Sequence, residues 1–171
     1  MPELLRAAAA EGAVLLENRV LPFNKDSTVS VFGRTQLDWF FCGYGSGGDV
    51  IRPYQVNLVD GIRNCGKLNI NKNLLSVYEK WVAENPVDHG AWGFWPRSYP
   101  EMPLLNTVVA EAAKQSDYAV VVIGRSSGED RENVLEKGSY FLTDDELDML
   151  TKVTENFKDT VVLLNIGSII D

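Results

Sequence analysis

The run Val120–Val121–Val122–Ile123 constrains the fold more than any other stretch of this chain. A strand with one wet face alternates polar and apolar residues, whereas an unbroken apolar run needs cover on both faces. A second run, Thr160 to Gly167 (TVVLLNIG), has the same character. Strands of this kind belong to parallel sheets layered between helices.

The remaining periodicities fit that plan. A helix is expected over Pro2 to Leu16, where Ala7 to Ala10 favour it, and a β-branched strand over Ser27 to Gly33. Tyr54 to Asn64 is helix-like, with Val56, Val59 and Ile62 at three-residue spacing, and Lys67 to Asn71 is a short strand. Asn73 to Asn85 is an amphipathic helix with Leu74, Val77, Tyr78 and Trp81 on one side, ended by Pro86. Leu104 to Gln115 is helical and leads into the strand Tyr118 to Ile123. The last helix opens on a capping box, Thr143 with Glu146, and carries an apolar stripe of Leu147, Leu150, Val153 and Phe157. The order predicts an α/β fold: one three-layer sandwich over 1–171, a mostly parallel β-sheet with helices on both faces. Ligands of such sheets collect at the carboxyl ends of the strands.

Composition narrows the partners. The chain is 45% apolar, as an ordinary globular domain is, and its net charge of -8 repels nucleic acid and anionic lipid, so neither is an expected partner. No apolar run is long enough to span a membrane. The opening MPELLRAAAAEGAVLL carries Glu3 and Glu11 and no basic lead, so no signal peptide is expected and a cytoplasmic location is favoured. Cys42 and Cys65 match no metal spacing and read as buried or half-buried thiols; no metal and no cofactor is expected. The end so soon after an apolar strand predicts a chain truncated on its C-terminal side.

Three loops invite chemistry. After Ile123 comes GRSSGEDREN, with Glu129, Asp130 and Glu132 in quick succession. A carboxyl acts as a general acid only when burial or a neighbouring charge raises its pKa, and the alternative is a solvated acidic loop. Cys42 to Gly48 (CGYGSGG) lacks the ending of a phosphate loop. Its glycines either make turns only or bring Ser46 to a hydroxylated small molecule. Pro86 to Pro103 holds four Pro, two Gly and two Trp without a period, and ordered loops of that length are often functional. There Trp92, Phe94 and Trp95 either stack on the apolar face of a sugar ring or plug the loop from beneath. His89 reads as exposed or locally bonded, and Asp144 with Asp145 as complements to a helix dipole.

Taken together and in order, GRSSGEDREN, KGSYFLTDDE and VVLLNIGSIID resemble the α/β-sandwich domain of glycoside hydrolase family 3, the β-glucosidase family. AAAAEGAVLLENRVLPF resembles the family's opening helix and Leu-Pro turn, and VSVFGRTQLDWFFCGYGSGG its first strand and glycine loop. The resemblance implies half of an active site in a retaining β-glucosidase acting on a β-glucoside or oligosaccharide. It implies Glu129 as general acid/base and Ser46 as a ligand of sugar hydroxyls, with Trp92 and Trp95 as further substrate contacts. The nucleophilic Asp then belongs to a barrel domain absent from this segment, which alone is expected to be inactive. Many members carry Ser-Gly-Glu-Gly-x-Asp-Arg, whereas here Asp130 follows Glu129 directly, so Glu132 is the second choice. The competing reading is a non-catalytic module for a nucleotide or other small ligand.

Overall fold

In the computed structural model, which describes residues 2–41, 43–45, 53–129 and 132–171, four strands lie in one sheet. The elements run α1 (Pro2–Gly12), β1 (Thr28–Phe32), a single 3-10 turn (Arg34–Gln36), α2 (Leu58–Cys65), β2 (Asn69–Ile70), α3 (Lys72–Glu84), α4 (Asn106–Lys114), β3 (Tyr118–Arg125), α5 (Asp144–Asn156) and β4 (Thr160–Ile166). The strand order is β2-β1-β3-β4 and every pairing among these strands is parallel. β1 pairs Val29 to Phe32 with Tyr118 to Val121, and β3 pairs Ala119 to Arg125 with Thr160 to Ile166.

The apolar run explains why β3 is central. Ala119, Val121 and Ile123 join Phe32 in one core, with side chains of α3, α4 and α5. Val120 and Val122 join Val29 and Val31 in a second core, closed by Leu58 and Ile62 of α2. Alternation along one strand therefore feeds both layers, as the sequence predicts. β4 departs from that expectation. Its side chains are half-buried or exposed, with Val162 and Leu164 open to solvent, and it lies at the edge of the described sheet.

The helices keep their expected places with small shifts. Asn57 caps α2 by accepting the Asp60 N–H, so the helix begins at Leu58 and Val56 stays outside it, exposed. On α3 the buried stripe is Leu74, Leu75 and Tyr78, while Val77 faces water. α5 carries the capping box of Thr143 and Glu146, but its stripe lies one residue earlier than the leucine pattern suggests: Glu146, Met149, Val153 and Phe157 are buried and Leu147 is exposed. Only its first half is displaced, with Val153 and Phe157 buried as expected, and the cause is that the buried Glu146 serves a buried arginine described below. α1 stops at Gly12, and its described side chains are all exposed. Cys65 is exposed too, against expectation; it ends α2 on the helix's outer side. Among the described residues no helix is long and apolar enough to cross a membrane.

From β1 the chain crosses to β2 on one side, and β3 and β4 are added on the other. The direction of winding thus reverses between β1 and β3. In such sheets the crevice outside the carboxyl ends of those two strands is where ligands bind.

Candidate functional site

Three loops meet at that crevice. The first leaves β1 through the 3-10 turn and runs to Gly45; the second is 86–103, after α3; the third follows β3. Asn165, the polar interruption in TVVLLNIG, holds the first. It accepts the Phe40 N–H at 2.9 Å and donates to the Phe40 carbonyl at 3.2 Å. Gly124, its partner across the sheet, has no Cβ for a reason: one would fall 2.5 Å from Thr35 Oγ1 and 2.9 Å from Phe40.

A buried arginine ties the second loop down. Arg34 donates to the Asn85 carbonyl at 2.6 Å and to the Pro100 carbonyl at 2.9 Å, so one guanidinium clasps both ends of the long segment. Its Nε pairs with Asp38 at 2.8 Å, and it lies 4.8 Å from the centre of the Trp81 ring. The loop then docks on the third: Ser126 donates its N–H to the Arg97 carbonyl at 2.8 Å and its hydroxyl to the Pro96 carbonyl at 2.6 Å.

Beneath this junction lies Glu101. Its carboxylate accepts the Arg34 N–H at 2.8 Å and the Met102 N–H at 2.7 Å. Burial pushes this carboxyl up to about 7; the Glu146 charge adds to that, and the two N–H bonds pull the other way without prevailing. Burial likewise raises the Tyr78 phenol, which receives the Gly33 N–H at 2.9 Å. Because the folded value for Glu101 exceeds the unfolded value near 4.5, the folded state binds the proton more tightly. Its contribution to stability is full below about pH 4.5 and is lost as pH rises to about 7, by an amount on the order of 3 kcal/mol. Denaturant melts across this window should show stability falling with pH, and Glu101→Gln should flatten the fall. An unchanged slope in the variant would assign the pH dependence elsewhere.

The first and third loops are bridged. Tyr44 donates its N–H to the Ser127 carbonyl at 2.7 Å, and its own carbonyl accepts the Glu129 N–H at 3.0 Å, forming a one-residue parallel bridge between Tyr44 and Gly128. Gly45, at φ 110°, fits because it has no side chain: a Cβ there would sit 2.5 Å from the Glu129 Cβ and 2.9 Å from its Oε2. The exposed Glu129 side chain therefore packs against Gly45.

Aromatic rings line the flank of the bridge. Tyr44 stacks on Trp95 with ring centres 5.1 Å apart and planes 6° from parallel, and Phe40 stacks on Tyr99 at 4.6 Å. The Tyr44 and Tyr99 hydroxyls lie 3.1 Å apart, and the Tyr99 hydroxyl is 3.4 Å from His89 Nδ1. Burial, then the bond to Tyr44, raises the Tyr99 phenol above its ordinary range. Trp95 is buried, while Trp92 meets it edge-on and is 69% exposed.

Where the bridged loops carry GRSSGE and CGYG, a family model for the glycosyl hydrolase family 3 C-terminal domain matches residues 13–171. The chain belongs to that family. A curated "Beta-glucosidase" of Ruminococcus albus is 46% identical over 174 residues, and a "Beta-glucosidase A" of Butyrivibrio fibrisolvens is 33% identical over 194. Each alignment covers 99% of this chain, but the chain spans only 18% and 23% of the two relatives. Among solved structures, a beta-glucosidase from Paenibacillus barengoltzii superposes with a TM-score of 0.95 at 46% identity, over 99% of this chain and 19% of its own. Beta-glucosidase 3B from Thermotoga neapolitana in complex with alpha-D-glucose gives 0.86 at 34% identity, over 99% of this chain and 24% of its own.

In this family 3 domain the candidate residues of the sequence fare differently. Glu129 is at the bridge. Ser46 and Asp130 lie outside the described residues, although Gly45, next to Ser46, touches Glu129. Glu132 is exposed, and its carbonyl lies 3.4 Å from the Arg97 Nε that donates to it. Trp95 is buried beneath the loop and Trp92 is exposed at its edge. Asp144 pairs with Lys137 at 2.6 Å in the first turn of α5, and among the described residues no three His, Cys, Asp or Glu side chains gather as a metal site. Tyr44, Tyr99 and Phe40 were not foreseen. Their signal was the aromatic density of LDWFFCGY and WPRSYP, two segments whose meeting only the fold reveals.

Proposed function

We propose that this domain supplies one wall of the active site of a retaining β-glucosidase, with Glu129 as general acid/base. The bridge that sets Glu129 against Gly45 carries the reading. It brings an acid and a glycine loop together at the point where this sheet topology binds ligands. Ser46, one residue beyond Gly45, bonds the hydroxyls of the glucose being cleaved. A barrel domain elsewhere in a longer protein brings the Asp nucleophile, and the chain's share of its relatives' length supports that division.

Each residue then has a task. The nucleophile attacks the anomeric carbon while Glu129 protonates the departing oxygen, leaving a glycosyl-enzyme. Glu129, now a carboxylate, removes a proton from water as the ester is hydrolysed, and retention follows from two inversions. The exposed position of Glu129 in this domain alone is consistent with that partnership, since a facing barrel would desolvate the carboxyl and raise its pKa. Proton NMR during early hydrolysis of an aryl β-glucoside by the full-length protein tests the reaction class. The β-anomer of glucose should appear first; the α-anomer first would mean inversion and rule the mechanism out.

A further inference from the structure

We infer that Arg97 is a positioning residue for the acid/base: it joins the two limbs of the loop that carries Glu129 and so fixes where that carboxyl stands; this rests on the reading of Glu129 given above. The Tyr44 bridge holds only one flank of the loop. It consists of two backbone bonds, from the Tyr44 N–H to the Ser127 carbonyl and from the Glu129 N–H to the Tyr44 carbonyl. Two bonds along one line leave the loop free to turn about that line. A general acid works only within hydrogen-bond reach of the departing oxygen, so a second hold is needed.

Arg97 supplies it, because chain on both sides of Glu129 meets this one residue. Its carbonyl accepts the Ser126 N–H at 2.8 Å, ahead of Glu129. Its Nε donates to the Glu132 carbonyl at 3.4 Å, beyond Glu129. The adjoining residues add to the contact. The Pro96 carbonyl accepts the hydroxyl of the buried Ser126 at 2.6 Å. Ser98 sits against Gly138 on the returning limb, where a Cβ would fall 2.6 Å from the serine Oγ. Pro96 to Ser98 is thus a wedge between the departing and returning limbs of the acidic loop.

The wedge is itself held in place. Arg34 clasps the Asn85 and Pro100 carbonyls at the ends of the long segment. On either side of the wedge, Trp95 stacks on Tyr44 and Tyr99 on Phe40, in an aromatic cleft between the first two loops. Within the wedge the guanidinium is the one charged donor to the acidic loop. A charged donor holds a carbonyl more firmly than a neutral one does. Its cation also offsets the mutual repulsion of Glu129, Asp130 and Glu132, which follow one another closely in the chain.

The test is a double-mutant cycle in the full-length enzyme with cellobiose as substrate, kcat being referred to the fraction folded in circular dichroism. Arg97→Ala should lower kcat about tenfold and leave KM within about twofold, as the loss of one charge-assisted bond and a shifted acid would do. Arg97→Lys, which keeps a charged donor on a long stem, should recover most of the rate. In Glu129→Gln no acid is left to position, so adding Arg97→Ala there should cost less than about twofold. Equal losses in the two backgrounds would overturn the inference and make Arg97 a support of the fold or of the barrel contact. A raised KM at unchanged kcat would overturn it too, by making Arg97 a substrate ligand, and so would the absence of any loss. Full activity of Glu129→Gln alone would refute the assignment of the acid first, and the positioning role with it.

Discussion

Glu129→Gln in the full-length protein should lower kcat/KM for cellobiose by roughly 10²–10⁴-fold, the range general acid–base catalysis supplies. The loss should shrink as the leaving group improves. A sugar departs as a basic alkoxide and needs a proton at once, whereas dinitrophenolate departs unaided, so the first step on a dinitrophenyl glucoside should be nearly intact. Hydrolysis of the glycosyl-enzyme still needs a base, so that intermediate should accumulate and a burst of dinitrophenol should precede a slow steady state. The amide keeps the size of the carboxyl, and the Glu129 N–H bond to Tyr44 is a backbone bond that the change leaves alone. Uniform loss across all leaving groups would point to misplacement of the loop rather than to a missing proton.

Arg125→Met should cost about 3–5 kcal/mol of folding free energy, the penalty for orphaning a buried charge. Arg125 ends β3, immediately before the acidic loop, and is almost fully buried. It grips Glu146 through two bonds of 2.6 and 2.7 Å, and it donates to the carbonyls of Gly124, Ser139 and Phe141. Glu146 in turn closes the α5 capping box through the Thr143 N–H at 2.8 Å. Removing the guanidinium leaves the buried Glu146 carboxylate without its charge partner and takes a donor from the Ser139 carbonyl, while the Phe141 carbonyl keeps the Gly138 N–H. The pair itself need not add net stability, because desolvation of two charges offsets their attraction. Replacing Arg125 and Glu146 together by methionine should therefore cost less than the sum of the single changes. Urea melts of the three variants decide the matter: a single change below about 1 kcal/mol would mean that the loop is held by other contacts.

These two residues also mark what could be read before folding. The apolar run of β3 specified a strand covered on both faces, and the capping box at Thr143 specified where α5 begins, because both are local statements about period and hydrogen bonding. The placement of Glu129 at a strand end followed from the same run. Arg125 and Glu146 were not legible as a pair, since they are far apart in sequence and each alone reads as a surface charge. The same blindness moved the α5 stripe onto Leu147: a leucine pattern cannot announce that a glutamate will be buried in its place. β4 resembled β3 in composition, yet strand order, which is not a local property, left it at the edge with Val162 and Leu164 exposed. The aromatic cleft needed two loops to meet, so the sequence revealed its rings but not their stacking.

Azide decides most directly whether Glu129 is the acid/base. Azide attacks the glycosyl-enzyme without a general base, so it should restore turnover of dinitrophenyl glucoside by the full-length Glu129→Gln variant and yield β-glucosyl azide, identified by its anomeric coupling in proton NMR. Glu132→Gln should behave like the unaltered enzyme and give no azide product. Azide product from the Glu132 variant, with Glu129→Gln fully active, would contradict the assignment of Glu129.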